Sequence, residues 1–139
     1  MMSRVVVKRL ILSVVLAVGI VFVLGGINWL RFYQLANAGV ATQGWVTAKE
    51  PQNHQNVHYA YSVGSQTYHG IGHAGFRNPE FGALKVGEQV IVFYLPMKPA
   101  VSCLGTPKDL LVNETISIGL AALLTPLFLI WASTRRSSC

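Results

Sequence analysis

Hydrophobic positions fall into two unbroken blocks with an alternating stretch between them. From Leu10 to Leu30 no residue is charged, and fourteen are Leu, Ile, Val or Phe. From Thr115 to Thr134 none is charged either, and nine are of those four types. A helix of about 20 residues rising roughly 1.5 Å per residue covers roughly 30 Å, the hydrocarbon thickness of a bilayer. Each aliphatic residue near the bilayer centre favours insertion by roughly 0.3–0.6 kcal/mol. The pattern predicts transmembrane helices over 10–30 and 114–134, with a water-exposed module over 31–113 between them. Pro126 predicts a kink in the second, tolerated in lipid when neighbouring groups satisfy the freed carbonyl.

Within the module the period changes to two. Residues 39–50 read as a strand with Val40, Trp45 and Val46 as its apolar points, and Pro51 to Asn56 as a polar turn. Val57 to Val63 alternates, with Val57, Tyr59, Tyr61 and Val63 on one side and His58, Ala60 and Ser62 on the other. Gly64-Ser65 is a two-residue turn signal with Gly first, as a type II′ hairpin requires. That turn sets Val63 opposite Gln66, Tyr61 opposite Tyr68 and Ala60 opposite His69, with a third strand over 66–71. One face then carries Tyr59, Tyr61, Val63 and Tyr68, a core patch. The other carries His58, Ser62, Thr67 and His69. Residues 70–82 are glycine-rich and irregular. The run Val90 to Tyr94 makes 86–95 the most hydrophobic strand, predicted to be covered on both faces and central. Pro96 ends it, and 101–104 forms a short last strand. The predicted fold is a membrane α+β protein: two transmembrane helices flanking a small antiparallel β barrel or sandwich of four or five strands. With no internal disulfide, a domain this small needs support from the membrane boundary, the helices or a partner.

Charge orients this arrangement. Arg4, Lys8 and Arg9 precede the first block, and Arg135 and Arg136 follow the second. By the positive-inside rule the N-terminus (1–9) and the tail (135–139) lie in the cytoplasm. The module, too long for its own charges to control topology, lies in a periplasm or at a cell surface. The basic leader and Ala36-Asn37-Ala38 also outline a cleaved secretory signal, but the apolar run exceeds the roughly 7–15 residues of a signal core. Trp29, Phe32 and Tyr33 fit an aromatic belt at a membrane boundary. The net charge of +6 is thus largely a topology signal. No basic stripe with interleaved aromatics points to nucleic acid.

These residues resemble a known pattern. Gly44-x-Val46, then Tyr59-x-Tyr61-x-Val63-x-x-x-x-Tyr68, then Gly87-x-x-Val90-x-Val92-x-Tyr94-x-Pro96-x-x-Pro99, followed by Ser102 and Leu104, look like the DUF3592 family of small bacterial membrane proteins. The flanking apolar blocks match its layout. Family members often carry an acidic residue between the Tyr and the Pro and an Asn before the second Pro; Leu95 and Lys98 stand there in this chain. The resemblance implies an architecture and supplies no activity, since the family is one of unknown function.

Candidate chemistry is sparse. Four histidines lie between His54 and His73. His58 and His69 share one hairpin face and His73 follows, so these three are the weak candidates for metal ligation. A metal site needs three or four ligands with oriented partners, and the nearest acid, Glu50, lies across a turn. Solvated strand-face histidines are the simpler reading. Ser62 and His69 lack a neighbouring acid, and no nucleophile elbow, paired carboxylates or phosphate-cradling loop appears. The sequence therefore predicts no catalytic residues and no cofactor. Cys103 in the module reads either as a half-buried small apolar residue after a strand or as a thiol for an intermolecular bridge. Ser13 with Ala17, and Ser117 with Ala121, have the spacing of close helix contacts. No ionisable residue interrupts either block, which argues against a self-sufficient transporter. The Asn113-Glu114-Thr115 sequon abuts the second block and reads as chance.

The leading expectation is a multi-pass cell-membrane protein whose β domain is an interaction or accessory module. Its partners would be the lipid bilayer and a protein or a second copy of itself. The alternatives are a metal-binding or enzymatic domain using the His58/His69 face, and an accessory subunit of a transport complex.

Overall fold

A computed structural model describes residues 4–136. Helix α1 (Arg4–Ala38) leads into strands β1 (Val40–Glu50), β2 (Asn56–Val63), β3 (Gln66–His73), β4 (Gln89–Leu95) and β5 (Lys98–Leu104), and helix α2 (Pro107–Arg136) closes the chain. Contacts divide these into two compact units, residues 30–112 and the remaining helical segments. Cys139, at the end of the predicted tail, lies outside the described residues.

The five strands form one antiparallel sheet in the order β3-β2-β1-β4-β5. It curls until β3 and β5 approach each other, giving a nearly closed barrel, not a sandwich. The β2–β3 register is the one the Gly64-Ser65 turn dictates: Val63 faces Gln66, Tyr61 faces Tyr68 and Ala60 faces His69. Gly64 sits at a φ of 60°, where a side chain is strained.

Two expectations for β4 fail. The central strand is β1, paired on one side with β2 and on the other with β4. Its eleven residues give it the length to hold both neighbours. Ile91 is also 39% exposed, so the outer face of β4 is covered only near Phe93 and Leu95. A continuous apolar run does not tell a strand with two covered faces from one covered along half its length. β4 starts later than predicted, at Gln89, after a turn in which Gly87 has a φ of 87°. β5 starts earlier, at Lys98, because Pro96 and Met97 form a tight turn that pairs Leu95 with Lys98. Pro99 fits there because β5 is an edge strand.

Two apolar clusters hold the unit together. Inside the barrel, Val46, Val57, Tyr59, Tyr61, Leu84, Val90, Val92 and Leu104 are all 3% exposed or less. The second cluster joins Phe32 and Leu35 from α1 and Leu110 from α2 to Cys103, with Phe93, Leu95 and Val101 packed against it. The helices are longer than the apolar blocks because nothing breaks them: residues 31–38 contain neither Gly nor Pro, and Pro107 is well placed at a first helical position. Their module-side turns supply this second core.

Among the helical segments, Trp29 Nε1 donates to Thr115 Oγ1 at 3.0 Å. The tight approach falls at Gly25, where an added Cβ would lie 2.5 Å from Ile118 Cγ1. Ser117 donates to the Asn113 carbonyl of its own helix at 2.9 Å. α2 runs through Pro126 without interruption. Two helical stretches, Ile11–Ala38 and Pro107–Leu129, are long and apolar enough to cross a membrane.

Gly70 has the Tyr59 ring directly over it, so a Cβ there would overlap the phenol. Gly70→Ala is expected to destabilise the domain by about 1–3 kcal/mol, the usual cost of overpacking. Gly82→Ala, with open space at its Cβ, should change little. Urea unfolding of both variants in detergent checks this; equal midpoints would contradict it.

Candidate functional site

The chemistry-bearing residues of the domain divide between the barrel interior and its outer face. Inside, β2 projects Tyr59 and Tyr61 toward β5. The Tyr59 hydroxyl shares a hydrogen bond with Ser102 Oγ at 2.9 Å, and Tyr61 donates to the Pro99 carbonyl. Tyr61 also stacks on Tyr59, Tyr68 and Tyr94, with ring centroids 6.1, 5.8 and 5.9 Å away. Burial pushes the Tyr59 phenol up to about 12 and raises Tyr61 as well. Both stay protonated at neutral pH and act as donors or packing groups, not as bases.

The outer face is organised by an irregularity in β1. The β1–β2 register shifts between Val46 and Ala48, leaving Thr47 as the extra residue. Before the bulge, Val46 faces inward opposite Tyr59. After it, Lys49 lies opposite the inward Val57, and Ala48 opposite His58 on the outside. An extra residue flips the parity of everything beyond it. Glu50 thereby joins His58 on the outer face, with its Oε1 2.8 Å from His58 Nε2. Asn53, in the turn where His54 and Gln55 adopt positive φ, donates to Glu50 Oε2 at 2.9 Å. The hydrogen bonds from Asn53 and His58 hold the Glu50 carboxyl below the ordinary carboxylate value, against an opposing effect of burial.

His58 lies opposite Ile71 on β3, so His69 and His73 occupy the two diagonals. His58 and His69 line a shallow pocket of about 270 Å³ with Thr47, Tyr59, Gly70 and Ile71. Among the described residues, no three His, Cys, Asp or Glu side chains converge on a point where a metal ion would sit. Ser62 lies opposite Thr67, with the hydroxyls 3.5 Å apart, while His69 lies opposite Ala60. The pocket therefore offers an imidazole oriented by a carboxylate, a second imidazole, a threonine and an exposed isoleucine. That set suits recognition of a polar group beside an apolar one.

Two residues that the sequence did not single out are structural anchors. Lys49 Nζ donates to the carbonyls of Phe81 and Leu84 at 2.5 and 2.6 Å and lies 4.3 Å from the Phe81 ring centroid. Asn78 is buried; its amide donates to the Ile91 carbonyl at 3.0 Å and accepts from the Ile91 amide at 2.7 Å. Its position before Pro79 signals a turn, and nothing local identifies Ile91 as its partner. Cys103 is a free thiol, 3% exposed, in the second cluster. Burial raises it to about 12, and the Arg31 charge offsets this only in part.

A family model described as "Domain of unknown function (DUF3592)" matches residues 38–109. No curated protein and no solved structure matches the chain.

The depressed Glu50 pKa sets the sign of an acid effect. Its stabilising contribution is complete above the ordinary value of 4.5 and disappears as pH falls through the lower folded-state value. Thermal melts over the acid range should therefore show a steeper loss for the parent chain than for Glu50→Gln; parallel curves would exclude the effect. The burial of Cys103 leads to a second expectation. In a Cys139→Ser chain, Cys103 should resist a thiol reagent at mildly alkaline pH until the protein is denatured. Reaction at the unfolded rate in the native protein would refute its burial.

Proposed function

The chain belongs to the DUF3592 family, and on that footing we propose that it is a two-pass integral membrane protein presenting its β domain outside the cytoplasm as an interaction module. The observation that carries this reading is the exposure of both helices. In the most apolar stretch of each, 0% and 6% is buried within the protein. Ile11, Leu12, Val15, Leu16, Phe22 and Val23 on α1, and Leu123, Leu124, Leu127 and Phe128 on α2, face outward. So much contiguous apolar surface is costly in water and ordinary in lipid. The basic residues Arg4, Lys8, Arg9, Arg135 and Arg136 favour the cytoplasm for both termini. The cell membrane is then the location, with the β domain in a periplasm or at the cell surface.

Interaction is favoured over catalysis because the interior polar groups are committed to holding the fold. Tyr59 is tied to Ser102, Tyr61 to Pro99, Asn78 to Ile91 and Lys49 to two carbonyls. The outer pocket with His58, His69, Thr47 and Ile71 remains as the recognition face, whether the partner is a protein, a second copy or a larger transport complex. A metal-handling role is the second reading. It is favoured by the Glu50 carboxylate on His58, the arrangement that commonly orients a metal-ligating imidazole.

One set of variants separates these readings. In a Cys139→Ser background, a cysteine replacing exposed Gln52 should react with a membrane-impermeant maleimide in intact cells or spheroplasts. Reaction only after lysis would overturn the orientation. A photo-crosslinker at Thr67 should give a discrete adduct that His58→Ala with His69→Ala weakens. Stoichiometric zinc or copper in the purified protein, lost in that double variant, would instead establish the metal reading.

A further inference from the structure

A second depression lies elsewhere in the domain. The last turns of α1 (Tyr33, Gln34, Asn37, Ala38) and the β4–β5 turn (Leu95, Pro96, Met97, Lys98) line an open groove of about 660 Å³. Met97 is 94% exposed and Tyr33 47%. A fully solvated methionine at the tip of a tight turn contributes nothing to the domain's core. Lys98 beside it is exposed, and among the described residues no carboxylate pairs with it. The groove thus combines an apolar floor, two amide side chains and one uncompensated cation.

Its level follows from counting along α1. The uncharged run ends at Leu30. At about 1.5 Å per residue, Tyr33 stands roughly 4–5 Å beyond that point and Asn37 roughly 10 Å. The headgroup region adds about 5–7 Å to each side of the hydrocarbon core. Given the membrane reading, on which this inference rests, the Tyr33 end of the groove lies in that headgroup region and the Asn37 end opens toward the water.

We infer that this groove holds a phospholipid of the leaflet facing the β domain. Lys98 meets the phosphodiester, and Met97, Leu95 and Tyr33 cover the glycerol end of the acyl chains. Charge complementarity selects an anionic lipid, because a zwitterionic headgroup brings its own cation to the phosphate. Met97 and Lys98 form the insertion tip that steadies the domain against the bilayer.

The test uses the full chain with Cys139→Ser and Met97→Cys, labelled with an environment-sensitive fluorophore. The labelled protein is placed one copy per nanodisc in phosphatidylcholine with graded phosphatidylglycerol. The label should be blue-shifted relative to one at Gln52→Cys, and quenched by lipids spin-labelled near the glycerol. The phosphatidylglycerol needed for half-maximal quenching should rise about fivefold with Lys98→Ala. It should not move with Lys85→Ala, which removes an exposed lysine elsewhere. An unquenched label in a chain that has entered the discs overturns the inference and leaves the membrane reading standing. So does a shift produced in detergent by inorganic phosphate alone, or one that needs two copies per disc. A chain that does not enter the discs overturns both.

Discussion

The domain depends on how its sheet is closed. A five-stranded sheet that curls toward a barrel still has two edges, and here β3 and β5 approach without joining into one ladder. Side chains span the seam. Tyr59 and Tyr61 leave β2, cross the interior and reach Ser102 and the Pro99 carbonyl on β5. Gly70 and Gly72 make room for this: a Cβ on the first would strike Tyr59, and on the second would come within 2.9 Å of Leu104 Cβ. A phenol is long enough to cross a small barrel and carries a donor at its far end. Left unpaired there, that hydroxyl would cost about 1–3 kcal/mol. The same contacts thus satisfy a buried polar group and protect an exposed strand edge from pairing with another chain.

A barrel of this size buries little on its own, and its outer wall supplies the rest. Phe93, Leu95, Val101 and Cys103 turn away from the barrel interior and meet Phe32, Leu35 and Leu110 from the helix ends. β4 therefore works with both faces along part of its length, Val90 and Val92 inward and Phe93 outward. The strand and the helix turns that enclose it belong to one folding unit. Shortening α1 to its apolar block would remove Phe32 and Leu35 and expose that wall.

Much of this was legible because it rests on local periodicity. The alternation Val57, Tyr59, Tyr61, Val63 marks the inward face, and the Gly64-Ser65 turn leaves one register available, so the hairpin follows from a dozen residues. The long apolar helices need only composition. What escaped the sequence is non-local or off-period. The bulge at Thr47 is one extra residue in an unremarkable stretch, yet it decides that Glu50 faces His58 and that Lys49 faces inward. Read at a strict period of two, Glu50 falls on the opposite face from His58 and the acid–imidazole pair disappears. Asn78 copies a strand's pairing with Ile91 from a loop, which no spacing rule anticipates. The centrality of β1 was hidden because strand order is a long-range property, and the hydrophobic run of β4 drew attention from the longer strand.

The same distribution of groups bears on what such a domain can be for. Three reactive side chains are placed where the fold suppresses their reactivity. The phenols of Tyr59 and Tyr61 and the thiol of Cys103 are pushed toward their protonated forms by burial. The Lys49 ammonium is spent on two backbone carbonyls. Chemistry at neutral pH needs groups poised near that pH and open to a substrate, and the two phenols and the thiol are neither. Exposed groups lie instead at two surface sites: the carboxylate-steered imidazole of His58, and the Met97–Lys98 turn. The interior is fixed by its own hydrogen bonds, and the surface carries shallow features. On the membrane reading proposed above, the Met97–Lys98 turn is the part of the domain that meets lipid, and the His58 face is left for a partner arriving from the aqueous side.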